Sequence, residues 1–552
     1  MEEYIAELEL LLTKHLEEAE TTGNWVDYVK NTIINFDSLN SDVELLDIDN
    51  VFSDANLEIS NQLSNDVFAS SEECSKEFVE FSSSIIRSSR ELLKGYQVKR
   101  PCNFAVVALG SVARGEATPY SDLEYAFLIE NENEKDYFTQ LAVDTYFRIT
   151  NLNESPLKTF NIKVENSPDC LSEICPVGYR IDGLTPNAGN IPTGNGLGRS
   201  LTFTVEQAVK LYKEEVMSPS EELASLSDLL MTSQLIYCSD DGAQLHDRFM
   251  EEIATYEGIT AQNDPEIKLK RLKRLYLDLQ KYDFLPEFEF TTSVGEDVKV
   301  KEDIFRYITL LATNLNIALC FQLNFPWKVY EALYQSRIIS KESLRCLHII
   351  LGLSIYMRTM TYIMMGTQKA EVLLSTPTAE MKNKNKSHKH FYVPKSIFVT
   401  FGSILIPIKQ SLILSMKKGN RLLSTLKDMG TKEYLKLVIP SDLVTDKQDY
   451  MTICEVLCYV EDVNTAFKYI SAGSGVDIRS VGYEEFVKCI RSKYNTNKSD
   501  YLEKKYLEMC CYLLITSGHA SSTIDYLSWL ISYETNWFTV LQHKRLIADY
   551  KV

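Results

Sequence analysis

Two acidic residues in the segment from Phe104 to Glu130, FAVVALGSVARGEATPYSDLEYAFLIE, have the spacing of a metal site. Asp122 and Glu124 are two positions apart, and on a β-strand this spacing places both carboxylates on one face, roughly 6–7 Å apart along the chain. Two such carboxylates repel each other unless a cation lies between them. Mg²⁺ prefers oxygen ligands and is commonly held by one or two carboxylates together with substrate phosphates. The pair therefore predicts metal-dependent chemistry on a phosphate compound.

A Gly-Ser pair in the same segment is suited to bind that phosphate. Gly110 and Ser111 follow a short apolar run and open a predicted helix that continues through Arg114. The start of a helix offers backbone N–H groups and the positive end of the helix dipole. Ser111 adds a hydroxyl group to these donors.

Two predicted strands must position these residues. Residues 104–109 are an apolar run of strand length, and residues 123–129 are again strand-like, with acids among the first residues. Gly110 ends the first run, and Pro119-Tyr120-Ser121 forms a second turn before the acidic pair. We therefore expect the order strand, turn, short helix, turn, strand.

The string GSVARGEATPYSDLE resembles the signature of the DNA polymerase β-type nucleotidyltransferase superfamily. It is most similar to the branch of PII-protein uridylyltransferases and glutamine synthetase adenylyltransferases, whose pattern is Gly-Gly or Gly-Ser, Arg-Gly-Glu and then Pro-x-Ser-Asp-x-Asp. The residues that fit are Gly110, Ser111, Arg114, Gly115, Glu116, Pro119, Ser121 and Asp122. Glu124 departs from the pattern, because the family has Asp there. Glutamate is one methylene longer but is also a hard oxygen ligand, so the change either moves one metal or marks an inactive copy.

The resemblance implies an α+β fold, with a small mixed-sheet nucleotidyltransferase core embedded in a mostly α-helical multidomain chain. It also implies transfer of a nucleoside monophosphate from a nucleoside triphosphate to a hydroxyl acceptor, with Mg²⁺ or Mn²⁺ bound. Asp122 and Glu124 would bind the metal, and Gly110, Ser111 and Arg114 would bind the nucleotide. Arg114 has two open roles, because it could either face the phosphates or pair with Glu116.

The superfamily places a third carboxylate on a neighbouring strand, where it completes the metal site and deprotonates the attacking group. We assign this role to Asp182, which ends the strand-like run 177–182 directly before a glycine-rich loop at 183–198. A cap for the turn before Gly183 is the other interpretation of Asp182. The rival candidates are Asp169, Glu173 and Asp144.

The chain of 552 residues is too long for one core and suggests three or four domains. We expect an N-terminal helical region at 1–100, a nucleotidyltransferase domain at 101–216, and helical domains at 217–380 and 381–552. Helices are predicted at 134–150 and 204–216. Residues 227–253 resemble, more weakly, a helix–turn–helix segment that follows the catalytic sheet in PII uridylyltransferases, with Asp240-Asp241-Gly242 as its turn. Residues 381–390 are the best linker candidate.

Composition limits the partners. The net charge of −20 argues against nucleic acid, whose binding depends on Lys and Arg at phosphates. Two apolar windows, at 347–366 and 397–414, are interrupted by Arg358 and by Gly402, Pro407 and Lys409, so we expect buried helices and no membrane span. The acidic N-terminus lacks the pattern of a cleaved signal peptide. Twelve scattered cysteines without a Cys-x₂-Cys pair indicate reduced thiols and a cytoplasmic location.

Other kinds of function stay open at this point. The large helical remainder favours a protein as the acceptor over a small molecule or an RNA end. The departure at Glu124 is also compatible with a catalytically inactive scaffold that binds a nucleotide or another protein. The sequence contains no His-Glu-x-x-His, Gly-x-Ser-x-Gly or P-loop motif that would favour a different enzyme class.

Overall fold

The protein is described here by a computed structural model. It describes residues 31–150 except 33, 37, 49, 119 and 120, then 180–181, 202–217, 230–281, 298–365, 371–373, 391–422, 429–444, and short pieces between 453 and 528. Up to the end of the central sheet, the helices and strands are α1 (Asn40–Glu44), α2 (Asp54–Gly95), β1 (Phe104–Ala108), α3 (Gly110–Ala113), β2 (Asp122–Leu123), β3 (Tyr125–Ile129), α4 (Lys135–Thr150), β4 (Arg180–Ile181), β5 (Thr202–Thr204), α5 (Val205–Met217) and β6 (Gln234–Cys238).

The elements that follow are mostly helical. They are α6 (Ala243–Tyr256), which continues into a π-helical turn (Glu257–Ala261), α7 (Pro265–Lys281), β7 (Val298–Lys299), a second π-helical turn (Val300–Phe305), α8 (Arg306–Leu319), α9 (Pro326–Gln335), α10 (Lys341–Met365), β8 (Glu371–Leu373), β9 (Phe391–Tyr392), α11 (Lys395–Leu422), α12 (Thr431–Val438) and α13 (Val463–Ser474). The predicted α+β class, with a small mixed sheet and a mostly helical remainder, is confirmed.

The central sheet has the strand order β5-β3-β1-β6. β1 pairs antiparallel with β3 and β6, and β3 pairs parallel with β5. Side chains of β1 alternate between two apolar cores, with Phe104 and Val106 in one and Ala105 and Val107 in the other. Both faces are therefore buried, which explains why the strand is continuously apolar and shows no polar alternation.

Two of the four strands of the sheet, β5 and β6, were not predicted. Residues 234–238 fall inside the segment for which we expected helix, turn and helix, but they form β6. The turn and the second helix, α6, are present as expected. The apolar text QLIYC is too short for periodicity to separate a strand from a helix. Residues 234–238 form a strand because they pair with the edge of β1 that β3 leaves free.

The long helix α2 packs against α10 through small side chains. Gly352 of α10 lies so close to Ser64 of α2 that a Cβ atom on the glycine would overlap the serine. The hydroxyl of Ser64 donates to the carbonyl of Ser60 in its own helix at 2.8 Å. The small side chain of Ser64 therefore permits close contact between the two helices, while its hydroxyl is satisfied within its own helix.

The two apolar windows form α10 and α11. Lys341–Met364 and Lys395–Ser415 are long and apolar enough to cross a membrane by length and composition, but 94% and 72% of their apolar windows are buried within the protein. The predicted buried helices are therefore present, and the expectation of no membrane span stays a prediction.

A buried ion pair connects the layer that covers the sheet to the helical body. Arg271 of α7 donates two hydrogen bonds to Glu257, at 2.7 and 2.6 Å, and both side chains are almost fully buried. The hydroxyl of Tyr212, on α5, donates to the same carboxylate at 2.6 Å. Burial opposes ionisation of Glu257, but the hydrogen bonds and charge of Arg271 hold its pKa below the ordinary 4.5.

We expect Tyr212→Phe to lower the free energy of unfolding by about 1.5–3 kcal/mol, the usual value of a hydrogen bond to a charged group. Tyr334→Phe, at a 41% exposed position, is the matched control and should change stability little. Because folding lowers the pKa of Glu257, its stabilisation is present above pH 4.5 and is lost as the pH falls through the folded-state pKa. Urea unfolding at a series of pH values downward from pH 7 measures both effects. A mutant cost that stays constant over the range in which wild-type stability falls through protonation of Glu257 would contradict the assignment.

The predicted domain boundaries at residues 100, 216 and 380 stay predictions, and packing crosses them. β6 joins the sheet from beyond residue 216, and α2 packs against α4, β6 and α10. One apolar cluster extends from Phe36 to Leu514.

Candidate functional site

The strand that carries the acidic pair is interrupted at Glu124. β2 ends at Leu123 and β3 begins at Tyr125, and the carbonyl of Glu124 accepts a hydrogen bond from the N–H of Leu109 at 2.8 Å. The expectation of one continuous strand over residues 123–129 is therefore wrong. β2 belongs to a separate two-stranded sheet, so the same-face argument for the two acids does not hold as stated.

Tertiary structure instead brings Glu124 to the Gly-Ser turn. Gly110 has a φ of +63°, and its open side is filled by the Glu124 carboxylate, so a Cβ atom at Gly110 would overlap it. Glycine adopts a positive φ without steric cost and leaves room for this approach. Glu124 is partly exposed. The acid and the glycine that the motif predicts to act together are therefore in contact.

The predicted helix after the Gly-Ser pair is a single turn, α3, which ends at Ala113. Leu109 precedes it in an extended conformation, and Ser111 is partly exposed at its first turn. The carbonyl of Ser111 accepts a hydrogen bond from the N–H of Glu116 at 2.9 Å. The chain therefore folds back over the turn, and the Arg-Gly-Glu part of the motif packs beside it.

Arg114 adopts the second of its two predicted roles. Its Nε donates to Oε2 of Glu116 at 3.1 Å, and the Glu116 side chain is fully buried. An ion pair with a buried carboxylate fixes the guanidinium in place. The pairing of Arg114 with Glu116 is therefore present, and phosphate binding by Arg114 stays a prediction.

The loop from Arg114 to Thr118, which we call the motif loop, is held by residues from other helices. Ser71 donates to the carbonyl of Gly115 at 2.7 Å, and the hydroxyl of Ser75 accepts from the N–H of Ala117 at 3.0 Å. Both serines belong to α2. At Gly115, with a φ of +68°, a Cβ atom would overlap the ring of Phe325. Sequence reasoning did not find these contacts, since buried serines of a helix carry no motif.

The third carboxylate was predicted next to β4. The backbone of β4 pairs in parallel with β2, with Asp122 opposite Arg180 and Leu123 opposite Ile181. Asp182, Asp169, Glu173 and the glycine-rich loop at 183–198 lie outside the described residues, as does the side chain of Asp122. The rival Asp144 pairs with Arg148 within α4 at 2.8 Å.

Metal-binding clusters of three or more His, Cys, Asp or Glu side chains are absent from the portion of the chain that the structure describes. That portion includes Glu124 but not the full predicted set of acids. The assignment of Asp122, Glu124 and Asp182 as metal ligands therefore stays a prediction.

Eight cysteines lie in the described part of the chain, and all are free thiols. Burial raises the pKa of Cys74 to about 11 and that of Cys320 to about 12. Such thiols stay protonated at neutral pH and are unreactive. They fit the interpretation of structural thiols, while the cytoplasmic location stays a prediction.

One region of the chain is similar to a family of known proteins. Residues 60–150 match the model of a family described as "Putative nucleotidyltransferase DUF294". The matched range contains most of α2, β1, the Gly-Ser turn, the motif loop, the acidic pair, β3 and α4. No curated protein matches the chain. The segment built around Gly110 and Glu124 is therefore nucleotidyltransferase-like.

Proposed function

We propose that the protein transfers a nucleoside monophosphate from a nucleoside triphosphate to a hydroxyl group, in the manner of the PII uridylyltransferase and glutamine synthetase adenylyltransferase branch. One observation carries the proposal: the Glu124 carboxylate lies against Gly110 at the start of α3, within the segment that matches the nucleotidyltransferase family. An acid at a glycine turn provides a metal ligand next to backbone phosphate donors.

The donor chemistry fits a hard divalent cation. Glu124 is a partly exposed residue, and its carboxylate lies against a glycine that has no side chain. Mg²⁺ or Mn²⁺ would be held by Glu124 together with Asp122 and Asp182. When bound, the metal neutralises the charge of the phosphates and of the developing transition state.

The protein's own residues then have the following proposed roles. Ser111 and the N–H groups after Gly110 bind the β- and γ-phosphates. The acceptor hydroxyl oxygen attacks the α-phosphorus, its proton passes to Asp182, and the bond from that phosphorus to the bridging oxygen breaks to release pyrophosphate. The residue directly before Asp182 pairs with Leu123 next to the acidic pair, which supports this choice of base.

We further propose that the acceptor is a protein, so that the reaction is AMPylation or uridylylation. The resemblance to protein-modifying enzymes supports this proposal, as does the size of the helical body around a small sheet. The net charge of −20 makes an RNA end the weaker alternative.

The test uses the full chain with each of the four ribonucleoside triphosphates, labelled at the α-phosphorus, with Mg²⁺ or Mn²⁺ and a cell lysate. We expect one nucleotide to label a protein band and to release pyrophosphate. The same nucleotide labelled at the γ-phosphorus is the control and should leave the band unlabelled. If no nucleotide gives transfer but one still raises the melting temperature, the inactive scaffold is the correct interpretation.

Glu124→Asp separates an enzyme adapted to glutamate from a degenerate copy. The shorter side chain withdraws the carboxylate from Gly110, so we expect an active enzyme to lose on the order of tenfold in rate. Glu251→Asp, at an exposed position of α6, is the matched control and should keep full activity. The measurement is the single-turnover rate of labelling. An increase in rate with Asp at position 124 would show that Glu124 impairs the site.

A further inference from the structure

Arg358 is a charged residue inside an apolar helix, and the function proposed above does not explain it. It interrupts the apolar text of α10 and is only 2% exposed. Burying a guanidinium without partners costs several kcal/mol, so a buried arginine requires compensating contacts. Two aromatic rings provide part of them, since the guanidinium carbon lies 4.3 Å from the ring centroid of Phe305 and 5.3 Å from that of Tyr362.

A further contact of Arg358 is with the motif loop. Its Nη1 donates a hydrogen bond of 3.3 Å to the backbone carbonyl of Glu116, and this contact is buried. Glu116 is the acidic residue of the Arg-Gly-Glu motif, and Oε2 of its side chain accepts from Arg114. Arg358 therefore contacts the backbone of the motif loop, whereas Arg114 pairs with the Glu116 carboxylate.

Three consecutive residues of the motif loop are thus fixed from outside the sheet. Ser71 holds the carbonyl of Gly115, Arg358 holds that of Glu116, and Ser75 holds the N–H of Ala117. The loop connects the Gly-Ser turn to β2 and to Glu124. A shift of the loop would consequently move Gly110 relative to the carboxylate that lies against it.

We propose that Arg358 is a positioning residue for nucleotidyl transfer, which holds the motif loop so that the Gly110 turn and the Glu124 carboxylate keep their contact. The inference rests on the proposed function. Under this proposal the helical body contributes directly to the candidate site, because α10 belongs to that body and holds the motif loop.

The experiment compares Arg358→Met and Arg358→Lys in the full chain. Methionine keeps an unbranched stem over Phe305 but removes the donor, whereas lysine keeps a donor and a charge. Lys409→Met is the matched control, since Lys409 is a buried cation of the other apolar helix, α11, and lies 5.4 Å from the ring centroid of Tyr307.

Two readouts are needed, hydrogen exchange and transfer kinetics. For Arg358→Met we expect amide exchange in a peptide covering 110–118 to speed up at least about threefold, with a peptide covering 243–256 unchanged. We expect kcat for transfer to fall about tenfold, with KM for the nucleotide changed less, because orientation is lost more than binding. Arg358→Lys should show smaller changes in both exchange and kcat than Arg358→Met. Lys409→Met should show neither change once the rates are corrected for the fraction of folded protein.

Unchanged exchange at 110–118 in Arg358→Met would overturn the proposal, and so would faster exchange with an unchanged kcat. If Arg358→Met does not fold, Ser71→Ala is the substitute variant. It removes the hydrogen bond to the carbonyl of Gly115 and is expected to give the same two changes. A wild-type protein that transfers no nucleotide would refute the proposed function, while the exchange data would still decide whether Arg358 holds the loop.

Discussion

Replacing Asp122 with Ala is expected to slow nucleotidyl transfer by at least about 1000-fold while the fold is retained. The proposed metal would stabilise the transition state by several kcal/mol, and about 4 kcal/mol corresponds to three powers of ten in rate. In the proposed site, which brings the acids together, removing one carboxylate would also relieve repulsion in the metal-free protein, so its stability should hold or rise. Single-turnover labelling measures the rate, and the rise in melting temperature on adding nucleotide with Mg²⁺ measures binding.

Asp241→Ala is the control for this prediction, because Asp241 is an exposed acid in the turn before α6. It should keep wild-type rate and wild-type nucleotide binding. If purified Asp122→Ala turns over at the wild-type rate, the metal assignment is wrong for Asp122, and the acidic pair does not form the site.

Replacing Gly110 with Ala is expected to reduce transfer by about 100-fold and to cost about 1–3 kcal/mol of stability. An alanine at a φ of +63° is strained, and its Cβ would displace the Glu124 carboxylate from the turn. Displacement of a reacting group by about 1 Å can by itself reduce a rate about 100-fold. Transfer kinetics and urea unfolding measure the two effects separately.

Gly258→Ala is the matched control in the same chain. Gly258 is exposed in the π-helical turn after α6, and a Cβ atom there would meet no atom within 4 Å. Alanine should leave activity unchanged and raise stability by about 0.5–1 kcal/mol through the smaller entropy of the unfolded chain. Equal effects of the two substitutions would show that Gly110 has no special role.

The sequence by itself determined the local parts of the site. The strands at 104–108 and 125–129, the glycine break at 110 and the helix at 135–150 were readable because strand length, turn residues and helical spacing are local properties of the chain. The pairing of Arg114 with Glu116 was one of two alternatives, since residues two apart in a turn are able to meet. The α+β class followed from the same local patterns together with the family resemblance.

Tertiary structure alone decided how those parts meet. The interruption at Glu124 lies where pairing changes from β4 to β1, and β6 exists because β1 offers it a free edge. The contact of Arg358 with Glu116 joins residues 242 positions apart. Such contacts produce no periodic pattern in the sequence. A buried serine or arginine is required by a partner that is distant in sequence, and its sequence neighbours do not indicate that partner. Local chemistry therefore indicated which residues form the candidate site, and long-range packing fixed the positions of those that the structure describes.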